Sequence, residues 1–327
     1  MLKKMLSAMC AAILPLVTLA SCGENPAADN GKINVVCTIF PCYDWTRQVV
    51  GDTENVDITY LLDDGSDLHS FQPTAEDMIK ISDCDVFVYV GGESDQWVEK
   101  ALENARNKDM KILRLMDGLT DYLTESENSE NVAEHHNHEE HEEHDHHESV
   151  YDEHIWLSLN NAQMCVSEIS TALSAADSEN ADTYSENASA YSTELQLLDR
   201  SFHMMFDEKP HTLIFGDQFP FIYFTECYGL DYFAAFSGCS ADTESSFETI
   251  TFLAEKVDEL KAETVFAIEN SDCTIAEAVI SNTADKSQNI AILDSIQSVS
   301  QKKIDEGYTY LEAMKKNYDV LKEVYNS

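Results

Sequence analysis

Basic residues are scarce in this chain: 20 Lys and Arg stand against 61 Asp and Glu, a formal net charge of −41. Such a chain does not bind nucleic acid or anionic lipid by charge, and it draws cations toward itself. None of its nine cysteines forms a CxxC pair, which argues against a zinc–thiolate site. Beyond Cys10 and Cys22, the seven others (Cys37, Cys42, Cys84, Cys165, Cys227, Cys239, Cys273) are odd in number and scattered, which argues against a full disulfide framework. Cys37 and Cys42 are close enough to pair, yet mostly free thiols are expected. There is no glycine-rich phosphate cradle, no HExxH helix and no sequence-level repeat. The apolar run Met9–Ala20 is too short to span a membrane.

That run follows Lys3 and Lys4, with no acidic residue, in the layout of a secretory signal. It ends Leu19-Ala20-Ser21-Cys22, which resembles the lipobox of bacterial lipoproteins. Lipidation at Cys22 and a place outside the cytoplasmic membrane are therefore expected. The 43% apolar content over the remaining length suffices for two domains with real cores.

The folded part alternates. Continuous or alternating apolar runs predict strands at Ile33–Phe40, Val56–Leu62, Val86–Val90 and Lys111–Leu115, with helices at Tyr43–Val50, through Met78 and Ile81, and at Trp97–Asn104. Further on, strands are predicted at Thr212–Phe215, Tyr232–Phe236, Thr264–Ile268 and Ile290–Leu293. Helices are predicted at Phe219–Cys227, Phe247–Leu260, Ile275–Ile280 and Tyr308–Tyr325. Between the two sets, Asn160–Leu173 reads as helical, and apolar residues from Ala181 to Met205 recur at spacings of three and four. This predicts one helix of about 28 residues capped by Asp177. Two Ala and two Tyr on its seam make a poor coiled-coil zipper, so the stripe is expected to lie along the protein body. The fold class is α/β: two parallel-sheet lobes joined by a long helix. The expected division is 1–21 signal, 22–32 lipid-anchored tether, 33–176 N-terminal lobe, 177–206 connecting helix and 207–327 C-terminal lobe.

Seven of the eleven histidines crowd into a stretch spanning residues 132–149: His135, His136, His138, His141, His144, His146 and His147. They alternate with Glu and Asp and carry no apolar period, so a mobile loop is expected, of a composition that collects zinc, copper or nickel. His154 follows, between Asp152-Glu153 and Ile155-Trp156. Ligands of open α/β sheets bind beyond the carboxyl ends of the strands. Those ends carry His69, Asp217 and Asp294. With His154 these are four metal-competent side chains, two from each lobe.

Several segments together resemble the metal-binding lipoproteins of zinc and manganese ABC importers (cluster A-I), and the likeness covers nearly the whole chain past Cys22. VCTIFPCYDWTRQVVGD is similar to that family's first strand and helix. LHSFQPTAEDMIKISDCDVFVYVGG resembles its first ligand loop and implies His69 as a ligand. YDEHIWLSLNNAQ resembles its second ligand segment and implies His154, and SAADSENADTYSENASAYSTEL is similar to its long rigid helix. LDSIQ resembles the fourth ligand segment and implies Asp294. The third position departs from the pattern. FGDQFPFIYFTEC is about two residues longer than usual and holds no His; Asp217 is nearest by position, with Glu269 as the fallback, while His211 precedes the strand and points wrongly. The resemblance implies a non-enzymatic protein that captures a divalent metal in the cleft and passes it to a membrane permease and its ATPase; a monomer is the default expectation. Zn2+ is the expected metal and Mn2+ the alternative, and the His-rich loop is expected to be an accessory. A secreted zinc hydrolase, and a metal buffer or adhesin, are the competing readings.

Overall fold

The computed structural model describes residues 31–126, 151–207, 211–238 and 245–325. The signal-like segment, Cys22 with most of the tether, the His-rich stretch and Cys239 lie outside the described residues. β1 (Ile33–Cys37), β2 (Val56–Tyr60), β3 (Val86–Tyr89) and β4 (Lys111–Arg114) form one sheet in the order β2-β1-β3-β4, with every pair parallel. The crossovers are α1 (Phe40–Val50), α2 (Ala75–Asp83) and α3 (Trp97–Glu103). Thr74 and Asp77 close a reciprocal capping box at the start of α2, satisfying two N–H groups that a helix end otherwise leaves open.

Two helices follow, α4 (Leu159–Ala176) and α5 (Ala181–Phe206). On α5 the buried positions are Tyr184, Ala188, Tyr191, Leu195, Leu198, Phe202 and Phe206. This stripe packs against α1 and α4, and also against two helices of the second lobe introduced below. It is therefore occupied within the chain and is not the seam of a coiled coil. The expected cap is corrected. Asp177 closes α4, accepting hydrogen bonds from Asn180 Nδ2 and Tyr184 OH at 2.8 Å each, and Asn180 takes the N-cap place without a side-chain bond. Its carboxylate pins the turn between the helices.

The second lobe repeats the first in topology though not in sequence. β5 (Thr212–Phe219), β6 (Asp231–Ser237), β7 (Thr264–Ile268) and β8 (Asn289–Leu293) form a parallel sheet in the order β6-β5-β7-β8. α6 (Ile222–Tyr228), α7 (Phe247–Leu260), α8 (Thr274–Asn282), α9 (Gln301–Asp305) and α10 (Tyr310–Tyr325) surround it. α5 packs against α6 and α10 of this lobe. β5 runs four residues past its expected end at Phe215. It does so through a bulge, since its register with β6 slips between Phe215 and Gln218. Gly216 is required there, because a Cβ would meet Ala276 Cα at 2.5 Å.

One core runs from the first sheet through α4 and α5 to α10 and β5, and a smaller one lies between the second sheet and α7 and α8. Side-chain bonds also cross between the lobes: Trp156 Nε1–H donates to Ser295 O at 2.8 Å and Tyr60 OH to Val299 O at 2.9 Å. A continuous core resists free hinging, because parting the lobes would open close-packed surface. Among the described residues no helix is long and apolar enough to cross a membrane, and all six described cysteines are free thiols.

Candidate metal centre

In each sheet the strand order reverses between the first and third strands, which is where open α/β sheets form a ligand crevice. His69 sits in the short turn Leu68–Ser70 after β2, held by its own N–H donating to Asp67 Oδ1 at 2.9 Å. Its Nδ1 lies 3.0 Å from Glu153 Oε1 and 2.7 Å from Ser94 Oγ. Ser94 donates its hydroxyl to Glu153 Oε1 at 2.6 Å, which leaves its oxygen to accept from Nδ1–H. This arrangement suits the tautomer with the proton on Nδ1. Gly92 makes room for this arrangement, since a Cβ there would meet Glu153 Cβ at 2.2 Å.

His154 is buried at 2% exposure. Its Nδ1 lies 2.9 Å from Asp152 Oδ1, which also accepts the His154 backbone N–H at 2.8 Å. The two imidazole centroids are 5.6 Å apart, and the Trp156 ring lies 5.1 Å from that of His154. Each imidazole is thus oriented through Nδ1 by a carboxylate. Burial would raise the Glu153 carboxyl, but the His69 hydrogen bond, the His154 charge and Ser94 outweigh it and hold it at about 2. Sequence reasoning misses Asp152, Glu153 and Ser94 as supporting residues; the acidic pair directly before His154 is the available signal.

In the second lobe Asp217 lies inside the β5 bulge, not beyond the strand. Its Oδ1 accepts Gln218 N–H at 2.8 Å and its Oδ2 accepts Ile268 N–H from β7 at 3.3 Å. Bulges re-aim side chains at the rims of sheets, and this one turns Asp217 onto an interlobe cavity of about 760 Å³ shared with Asp67, Glu269 and Gln297. Neither histidine is on that cavity's wall. Asp294 follows β8; its Oδ1 accepts Ile296 N–H at 3.0 Å and its Oδ2 accepts Tyr308 OH at 2.7 Å. Glu269 accepts both Ser295 N–H and Ser295 Oγ–H at 2.6 Å, and burial together with the Asp294 charge raises its carboxyl to about 7. Buried Ile296 holds φ +63°, a left-handed conformation costly for a β-branched residue, roughly 1–3 kcal/mol.

The structure therefore brings His69 to His154, and Glu269 to Asp294, from the two sides of the cleft. No three of His69, His154, Asp217, Glu269 and Asp294 have ligand atoms within 4.8 Å of one another. His211 is packed on Tyr325, with ring centroids 4.3 Å apart, before β5 begins.

Replacing Asp152 by Asn keeps an oxygen acceptor for Nδ1–H but removes the charge behind it. Metal affinity is expected to fall by about 10- to 100-fold with an unaltered circular dichroism spectrum. An unchanged dissociation constant would show that the Asp152–His154 pair is only structural.

Two parallel sheets of like topology, bridged by one long helix and facing a shared cleft, define a two-lobed solute-binding protein. The family model described as "ZnuA: Zinc-uptake complex component A periplasmic" matches residues 35–324. The chain belongs to the ZnuA family. It is 31% identical over 98% of its length to the zinc-binding lipoprotein AdcA of Streptococcus pneumoniae, and spans 60% of the length of that protein. It is 28% identical to the high-affinity zinc uptake system protein ZnuA of Bacillus subtilis, over 93% of each chain. The Zn(II)-bound ZnuA-like domain of S. pneumoniae AdcA superposes with a TM-score of 0.69 at 26% identity, covering 91% of this chain and all of that one.

Proposed function

We propose that this protein is an extracytoplasmic receptor that binds Zn2+ between its lobes and delivers it to the permease and ATPase of an ABC importer. His69 and His154 supply two imidazoles from the N-terminal lobe, and Asp217 and Asp294 supply carboxylates from the other, with Glu269 as the fallback to Asp217. The observation that carries this reading is the pair of carboxylate-backed imidazoles, 5.6 Å apart by centroid, each with Nδ1 occupied. Such second partners fix the tautomer of metal-binding histidines. Two neutral imidazoles and two carboxylates would neutralise a buried divalent cation, and no bond is made or broken in the cycle. The shared core supports a small rocking of the lobes. Lipid at Cys22, after removal of residues 1–21, would keep a monomer near its permease, and the same reading adopts the division at residues 22–32, 33–176, 177–206 and 207–327. Family membership and the zinc-binding relatives support it.

The carboxylate share of the donor set favours a harder cation, which makes Mn2+ the second reading. Titration of protein lacking residues 132–149 decides between them. One tight zinc equivalent with weak manganese is expected, leaving His135, His136, His138, His141, His144, His146 and His147 an accessory role. Tight manganese with weak zinc would reverse the metal, and no tight site for either would overturn the receptor reading.

A further inference from the structure

Away from the cleft, Asp199 and His203 stand one turn apart on α5, and Cys227 reaches them from the last turn of α6. Among the described residues they form the one group of three metal-competent side chains whose ligand atoms lie within 4.8 Å of one another. His203 Nε2 is 3.8 Å from Asp199 Oδ2. Tyr228 OH donates to the other oxygen, Asp199 Oδ1, at 2.8 Å, and the Tyr228 ring backs His203 with centroids 4.9 Å apart. The carboxylate is thus held with one oxygen turned to the imidazole. The group borders a cavity of about 440 Å³ whose wall also carries Glu226 and Asn161.

Carboxylate, imidazole and thiolate are all zinc donors, and tetrahedral bonds of these types place ligand atoms roughly 3.3–3.7 Å apart. The existing His203–Asp199 separation is slightly larger, and the His203 side chain, 53% exposed, has room to close it. Burial and the Asp199 charge push the Cys227 thiol up, so without metal it is a protonated, poor nucleophile, which argues against a catalytic cysteine. A bound divalent cation reverses that balance and releases the thiol proton to solvent.

We propose that Asp199, His203 and Cys227 form a second metal site for zinc or a zinc-like divalent ion, with its fourth position open to the neighbouring cavity. It uses none of the cleft residues, so it stands or falls separately from the reading above.

Cobalt titration of the purified protein tests this, because the proposed cleft ligands and the His-rich stretch offer only nitrogen and oxygen. A thiolate-to-cobalt charge-transfer band is expected, displaced by added zinc. It should vanish in Cys227→Ser, persist in Cys273→Ser, and need roughly a hundredfold more cobalt in His203→Ala. Absence of the band at saturating cobalt, or its survival in Cys227→Ser, overturns the proposal. Should Cys227→Ser not fold, alkylation of Cys227 in the unaltered protein, followed by mass spectrometry, decides the question. Zinc should slow the alkylation about tenfold, and an unchanged rate overturns the site.

Discussion

Replacing His154 by Ala is expected to weaken zinc binding by roughly a hundredfold to a thousandfold, and His69→Ala similarly. Structural zinc sites are worth about 10–16 kcal/mol over four ligands, or about 3 kcal/mol for each. His154 should show the larger loss. It is buried at 2% exposure and held through both its backbone N–H and Nδ1 by Asp152, so no other side chain or water can easily take its place. The His69 side chain is 25% exposed, and water can enter as a substitute ligand. Competition titration against a chelator of known affinity measures both. A His154→Ala variant that binds zinc as tightly as the parent would remove the cleft as the site of capture. Since binding needs neutral imidazoles, affinity should also fall as the pH drops below the histidine range.

Glu269→Gln should stabilise the metal-free protein, and more so at about pH 8 than at about pH 5. Burial and the neighbouring Asp294 raise the Glu269 carboxyl from 4.5 to about 7. A carboxyl raised on folding contributes its full stability below the unfolded value and loses it as the pH rises through the folded one. The loss therefore develops between 4.5 and 7 and is complete above. Asp95, raised to about 6 by burial, acts with the same sign, so the wild type alone cannot separate the two; the difference from Glu269→Gln can. Glu153, held at about 2, acts in the opposite sense and only as the pH falls below about 4.5. Thermal denaturation of the metal-free protein and the variant across this window reads the difference. A constant difference would mean that Glu269 is already paired or hydrated in the folded state.

Strands such as Thr264–Ile268, buried at all five positions, were legible because a parallel sheet covered on both faces leaves a continuous apolar run. The helix Phe247–Leu260 has the bounds its sequence predicts, and the structure adds that Ser246 caps its start. The end of β5 was not legible. Gly216 and Asp217 read locally as a strand terminator, yet pairing of Gln218 and Phe219 with Phe236 and Ser237 carries the strand onward. Partner-strand hydrogen bonds outweigh local preference. Asp177 misled for a similar reason: it has the chemistry of an N-cap, but the packed Tyr184 claims its carboxylate.

What the sequence determined by itself was local: hydrophobic period, strand and helix order, and the His-rich composition. Those depend on residues a few positions apart, and a single chain displays them directly. What only the tertiary structure decided was which groups face one another. Ser94 reaches Glu153 across 59 positions, Ser295 reaches Glu269 across 26, and Trp156 Nε1 reaches Ser295 O across 139. Such contacts follow from how two sheets and one helix pack as solid bodies, and no local pattern in the chain encodes them.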